Sequence, residues 1–387
     1  MSEVATTSRA IRVECLTRVE GEGGLTLRVA DGKLEDVRVD IFEPPRLFEG
    51  FLKGRHFSEV PDLTARICGI CPVAYQMSSV HAIESALGVS VTPEIRALRR
   101  LLYCAEWIQS HALHIFLLQA PDFLGFESAI TMAKEAPELV EKGLRLKKLG
   151  NRLMETLGGR ASHPVSVCVG GFHKAPARRE LDAFRDELGW AIDAAVDTVA
   201  LVSGLAFPDL EPEYEFVSVA HPVDYPMNER AIVSSAGLSI DPEDYEDHFI
   251  EEQVEHSTAL HSVRAGSGAS YFVGPLARLT LHAEKLTPRA RSAAEAAGIA
   301  GGSRNPFRGI VARAVELTFA CEEALALIEA YRAPEPCRVP VTPGGGTGCA
   351  ATEAPRGTLY HRYRLNSQGL VEAAKIMPPT AQNLRRI

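Results

Sequence analysis

Cys68 and Cys71 stand three apart in the run Arg66-Ile67-Cys68-Gly69-Ile70-Cys71-Pro72. Two thiols at this spacing, with a glycine between them, can turn toward one metal. Thiolates are soft ligands that favour nickel, zinc, copper or iron–sulfur iron over magnesium or calcium. Val80, Ile83 and Leu87 share one face of a helix predicted over 75–87. The pair therefore enters a helix N-terminus, where thiolate is favoured over thiol. The same spacing serves a structural zinc knuckle, which needs four ligands, or two core cysteines, and the spacing alone does not separate these readings.

Other residues draw attention by type. Glu20 lies in the polar approach to a strand, Thr17-Arg18-Val19-Glu20-Gly21, and Glu49 in Arg46-Leu47-Phe48-Glu49-Gly50. Taken singly, such glutamates are solvated surface groups. His111 and His114 share a helical face at i, i+3, as satisfied core histidines also do. Gly344-Gly345-Gly346 is followed by no Lys-Ser/Thr, which argues against a phosphate loop.

The elements that must position these residues are mostly helical. A hairpin is predicted over 25–40, with Asp31-Gly32 as its turn. Long helices are predicted over 93–119, 137–157, 176–201 (with Trp190 in the core) and 308–331, the first opening on Pro93. Residues 207–253 read as an irregular acidic insert with a strand-like piece at 215–219, and 358–377 as a second hairpin turning at 366–369. The expected class is α+β, predominantly helical, with small peripheral sheets. The parts are a β-rich 1–60 with a frayed start at 1–10, a helical core over 61–335, and a Gly-rich loop and hairpin over 336–387, forming one integrated unit.

The 387 residues carry a net charge of −9, with 46% hydrophobic and 24% charged residues. That balance suits a soluble globular protein and points to no nucleic-acid or membrane surface. No apolar run reaches the roughly 18 residues of a membrane span, and the polar start lacks the apolar stretch of a secretory signal. The eight cysteines are scattered, which suits a reducing cytoplasm. Cys15, Cys104, Cys168, Cys321, Cys337 and Cys349 are expected as small buried apolar residues.

Arg66-Ile67-Cys68-Gly69-Ile70-Cys71-Pro72 resembles the first metal-ligand motif of [NiFe] hydrogenase large subunits. Five further places resemble that family in its order. These are Arg18-Val19-Glu20-Gly21; Phe48-Glu49 through Gly54-Arg55; His111-Ala112-Leu113-His114 with Pro121-Asp122-Phe123; Glu353-Ala354-Pro355-Arg356-Gly357; and Pro379-Thr380-Ala381-Gln382-Asn383. Gly159–Pro164 with Gly170-Gly171-Phe172 is a further similar segment. Val273-Gly274-Pro275-Leu276-Ala277-Arg278 is similar to the cytoplasmic, NAD(P)-linked branch.

The resemblance implies a hydrogenase large-subunit-like fold and reversible oxidation of H2 to protons and electrons. It implies a Ni-Fe centre with cyanide and carbon monoxide on iron, Cys68 and Cys71 supplying the terminal and the bridging thiolate. Glu20 matches the proton relay, Glu49 a magnesium (Mg2+) ligand, and Arg356 the guanidinium over the open metal position. Tyr75, Ser110, His111, His114 and Pro355 match cavity-lining or supporting positions. Implied partners are an iron–sulfur small subunit, flavoprotein diaphorase subunits linked to NAD(P), and maturation proteins, all in the cytoplasm.

Tyr75 stands where the family has histidine, and Ser110 where many members have aspartate. The family's closing Asp-Pro-Cys-x-x-Cys-x-x-His is not found, so the sequence reads as incomplete, and with half of the thiolates the 387 residues are not expected to turn over hydrogen. Two other readings are a non-catalytic redox scaffold, like the quinone-site subunit of NADH dehydrogenase, and a zinc-binding interaction module. A hydrogenase reading requires that Cys68 and Arg356 meet.

Overall fold

A computed structural model describes residues 8–17, 21–43 and 45–386. The N-terminal sheet is a meander of β1 (Ser8–Val13), β2 (Glu22–Ala30) and β3 (Lys33–Phe42), all antiparallel. Asp31 and Gly32, with φ of 50° and 76°, make the expected turn. Of the residues expected as a frayed start, 8–10 belong to the edge strand β1, and 1–7 lie outside the described residues. Helix α1 (Pro45–Leu52) follows and rests on the C-terminal sheet.

The core is a stack of long helices: α2 (Pro72–Leu87), α3 (Pro93–Leu113), α4 (Pro137–Gly158), α5 (Arg185–Ser203) and, later in the chain, a helix over Gly309–Glu329. Helix α3 is buried over most of its length because α4 covers one side and the Gly309–Glu329 helix another. Thr92 caps it, its side chain accepting from the Ile95 amide. Beyond Leu113 the chain winds into a wider π turn over His114–Gln119 instead of continuing as regular helix. The helix expected over 176–201 is broken into Arg178–Asp182 and α5. Trp190 is half-buried under the Arg145 guanidinium, 3.5 Å from the ring centroid, and Trp107 is the tryptophan inside the core.

The 207–253 region is more regular than expected. It contains a small sheet of Val217–Val219, Ile232–Ser234 and Ser239–Ile240. It also includes β4 (Phe249–Glu252), which pairs with β5 (His261–Arg264). Then come α6 (Pro275–His282) and α7, the Gly309–Glu329 helix.

The last sheet carries three strands: β6 (Gly346–Ala354), β7 (Gly357–Leu365) and β8 (Val371–Met377). The glycine-rich stretch read as a loop is therefore partly a strand. Its glycines have a packing reason: a Cβ on Gly348 would lie 2.1 Å from the Ala82 carbonyl oxygen, and one on Gly346 2.3 Å from that of Ala86. Only bare backbone lets β6 lie directly on α2. The short helix α8 (Pro379–Leu384) closes the described chain. Cys104, Cys168, Cys321 and Cys349 are buried as expected, whereas Cys15 is exposed and Cys337 half-buried.

Candidate metal centre

The cysteine loop is held from several sides. Glu106, inside α3, accepts the Val73 and Ala74 amides at 2.6 and 3.2 Å, so it caps the start of α2 just after Cys71. Gln109 donates to the Ile70 carbonyl at 2.6 Å, Ser162 reaches that of Gly69 at 3.5 Å, and the Cys71 amide donates to Cys68 Sγ at 3.2 Å. The two sulfurs are in disulfide contact, with Cα atoms 5.4 Å apart. Reduced, the pair offers two thiolates to one point. Cys71 is buried and Cys68 half-buried.

Arg356, on the turn between β6 and β7, closes this site. Its Nη2 lies 3.2 Å from Cys68 Sγ and 3.1 Å from Cys71 Sγ. The turn is clamped by Arg278 of α6, which donates to the Ala354 and Pro355 carbonyls, each at 3.0 Å, and to Glu353 Oε2 at 2.7 Å. Two more 2.7 Å bonds fix the same guanidinium to both oxygens of Glu316 on α7, and it stacks over Trp107 at 4.5 Å. The group is wholly buried. Burial alone would raise the Glu316 carboxyl, but Arg278 and His111 bring it down to about 2. Gly274, at φ +122°, sits against the Arg356 backbone, where a Cβ would come 2.7 Å from its carbonyl oxygen. Asn383 bonds both the amide and the carbonyl of Val273. The Val-Gly-Pro-Leu-Ala-Arg and Pro-Thr-Ala-Gln-Asn segments thus hold the arginine turn in place.

A cavity of about 340 Å³ opens beside Cys68, which lines it, whereas Cys71 does not. Its wall includes Gly21, Glu43, Cys68, Tyr75, Arg356 and Thr380. Tyr75 is buried 5.8 Å from the His361 ring, and burial pushes its phenol well above the usual range. Glu43 is raised by burial, against the lowering pull of Arg356 and Thr380. Neither Glu43 nor Glu106 is among the residues singled out in the sequence. Glu106 falls on the buried face of α3 with Leu102, and an acidic residue on such a face is the signal that could have found it.

The other expected residues are placed as follows. Glu20 lies outside the described residues. Ser110 is buried in α3 and does not line the cavity. His111 Nε2 is 3.1 Å from Glu316 Oε2 without an aligned hydrogen bond, and burial lowers the basicity of its ring. His114 does not line the cavity, and burial, then the nearby Arg313, lowers its basicity well below the usual range. Pro355 takes part through its carbonyl. Glu49 is on α1, away from the cavity lining, where its Oε1 accepts the Ile376 amide at 2.9 Å. Among the described residues no group of three His, Cys, Asp or Glu could hold a metal alone, so a four-ligand zinc knuckle is not formed from them.

Known proteins match most of this chain. The sequence profile of nickel-dependent hydrogenases fits residues 46–143. Sulfhydrogenase 1 subunit alpha of Pyrococcus furiosus is 34% identical over 378 residues, covering 97% of this chain and 88% of its own. The chain belongs to the nickel-dependent hydrogenases, as a large subunit.

Other hydrogenases agree. The beta subunit of NAD-reducing hydrogenase HoxS from Cupriavidus necator is 29% identical, with 97% of this chain and 86% of that one covered. A crystal structure of an NAD+-reducing [NiFe]-hydrogenase in the H2-reduced state superposes with a TM-score of 0.83 at 26% identity, covering 97% and 90% of the two chains. The hydrogenase fold is thus the one described above, with a helical core and small sheets. No helix among the described residues is long and apolar enough to cross a membrane.

Proposed function

We propose that this hydrogenase subunit supplies Cys68 and Cys71 to a Ni-Fe centre and that, where two further thiolates complete the ligand set, reversible H2 oxidation takes place beneath Arg356. The observation that supports this most is the contact of one guanidinium nitrogen with both sulfurs. The donor set fits the metals: two thiols at one point suit soft ions, and a fixed cation beside them favours the thiolate form that metal binding needs. When bound, the metal pair with its cyanide and carbon monoxide supplies heterolytic cleavage of H2. Cavity-lining residues supply no further thiolate, so the rest of the ligand set comes from outside the cavity described.

The chain's own residues orient and carry protons. Arg356 presents donors toward the reacting position, held there by Arg278 rather than by solvent. Tyr75 excludes water from the cavity floor and is no base near neutrality. Proton transfer falls to carboxyls: Glu20 is the proposed relay, and Glu43 lines the cavity with a carboxyl raised by its surroundings. Ser110, His111 and His114 support the site from outside the cavity. Electrons leave to an iron–sulfur small subunit, and the NAD-reducing relatives favour flavoprotein partners and a cytoplasmic setting, with maturation proteins building the centre. The test is to isolate the protein with its partners from its own cells and assay hydrogen-dependent dye reduction together with nickel and iron. Activity with both metals supports the proposal, and a zinc-loaded inactive protein contradicts it.

A further inference from the structure

The end of β3 forms one wall of the cavity beside Cys68, and a segment 216 residues further on holds it there. Ser257 Oγ accepts the Ile41 amide at 3.2 Å and donates to the Ile41 carbonyl at 3.0 Å. Thr258 Oγ1 donates to the same carbonyl at 3.0 Å and accepts the Glu43 amide at 3.3 Å. The Ala259 amide adds a further 3.0 Å bond to the Ile41 carbonyl. Three consecutive residues of the loop between β4 and β5 thus fix the backbone on which Glu43 sits.

Glu43 lines the cavity together with Cys68, Tyr75 and Arg356. Its Oε2 is buried and has no hydrogen-bond partner among the described residues. A buried carboxyl oxygen left open is costly unless water or a proton serves it. Glu43 as a whole is half-buried, and Phe42 and Thr258 beside it are exposed. The residue therefore stands between the cavity and the surface. Burial and Glu251 favour its neutral form, whereas Arg356 and Thr380 favour the ionised one. Neither state is locked in, which a group that takes up and releases protons requires.

We propose that Glu43 is a second proton-transfer carboxyl of this cavity, and that Ser257 and Thr258 are the residues that position it. This inference rests on the hydrogenase reading above. One proton of each H2 passes to a Glu43 carboxylate oxygen, directly or through one water. The neutral carboxyl then gives that proton to solvent, which restores the carboxylate, and no electron moves in the exchange.

The experiment uses the protein isolated with its partners, as the natural sequence, Glu43→Gln, Glu43→Asp and Thr258→Val. Glu43→Gln should lower hydrogen-dependent dye reduction roughly 100-fold, the lower end of what a positioned acid–base group contributes, with nickel, iron and the KM for H2 unchanged. Glu43→Asp keeps the carboxyl and should recover most of the rate with an altered pH profile. Thr258→Val, which leaves the carboxyl in place but unclamped, should fall between them. Infrared spectroscopy reads the same group without turnover. The natural protein should show a D2O-sensitive protonated-carboxyl band that persists above the ordinary 4.5 and is missing from Glu43→Gln, while the separate band of the buried Glu106 stays. Glu43→Gln turning over within a factor of two of the natural protein at every pH would overturn the proposal and leave the hydrogen chemistry standing. Equal losses of activity and metals in Glu43→Gln and Glu43→Asp would mark a structural residue and overturn it too. A natural protein with zinc and no hydrogen activity would overturn the hydrogenase reading, and this inference with it.

Discussion

Arg356 Nη2 touches the sulfurs of Cys68 and Cys71 at 3.2 and 3.1 Å, although 288 and 285 residues separate the arginine from them. Once the pair is reduced, a guanidinium beside it favours the thiolate form that metal binding needs. Arg356→Lys keeps the charge but loses the planar fork, and it is expected to lower hydrogen-dependent dye reduction about 100-fold, on the scale of losing one positioned donor. Nickel and iron content should stay unchanged. Activity within a factor of two of the natural protein would remove Arg356 from the reaction.

The Arg278 clamp is an all-buried ionic cluster of Arg278, Glu316 and Glu353. Breaking such a cluster strands a buried charge, so Glu316→Gln should destabilise the fold by about 3–5 kcal/mol. Urea unfolding of the purified chain measures this. A change below about 1 kcal/mol would mean that the cluster relaxes without cost.

Glu106 gives a pH signature. Burial raises its carboxyl to about 8 in the folded protein, opposed by the Val73 and Ala74 amides, from an ordinary value of 4.5. Above 4.5 the unfolded chain releases this proton while the folded chain keeps it, so this residue makes stability fall as pH rises from about 4.5 to about 8. Glu106→Gln keeps an acceptor for only one of the two amides, which bond to different carboxylate oxygens, and removes the ionisation. Relative to the natural protein its stability should rise progressively across that window, by about 4 kcal/mol between pH 4.5 and pH 8, on top of a pH-independent cost for the amide that loses its acceptor. Parallel stability–pH curves for the two proteins would contradict this assignment.

The glycine pattern of β6 makes a steric prediction. Gly348→Ala would place a Cβ 2.1 Å from the Ala82 carbonyl oxygen, whereas a Cβ on Gly344 meets its nearest neighbour, Leu87, at an ordinary 3.6 Å. Overpacking of the first kind costs about 1–3 kcal/mol or more, and Gly344→Ala should change stability by less than about 0.5 kcal/mol. Thermal melts of the two variants check the contrast. Equal melting points would mean that β6 does not lie on α2 as described.

These particulars show what could be read before the fold. Periodic apolar residues marked the long helices, and Asp31-Gly32 marked the first hairpin, because both signals are local. Strand β6 was hidden: its glycines resemble a loop, and the reason for them is the backbone of α2, more than 260 residues earlier. The partners of Arg278 and Glu106 stand 75 and 33 residues away, so Arg278 looks like a solvated charge in its own helix and only the apolar face around Glu106 marks it as unusual. The site residues Cys68, Cys71 and Arg356 were legible because they sit in distinctive words of sequence. Glu43 was not, because only the closed cavity sets its carboxyl beside Arg356.

The most direct test is metal content. The tagged protein, expressed in its own cells and isolated with its partners, should contain nickel and iron in equal amounts. Cys71→Ser should lose both while its thermal melt stays close to that of the natural protein. Nickel and iron retained at full occupancy in Cys71→Ser, or zinc in place of both in the natural protein, would contradict the assignment of Cys68 and Cys71 as the thiolates of a hydrogenase centre.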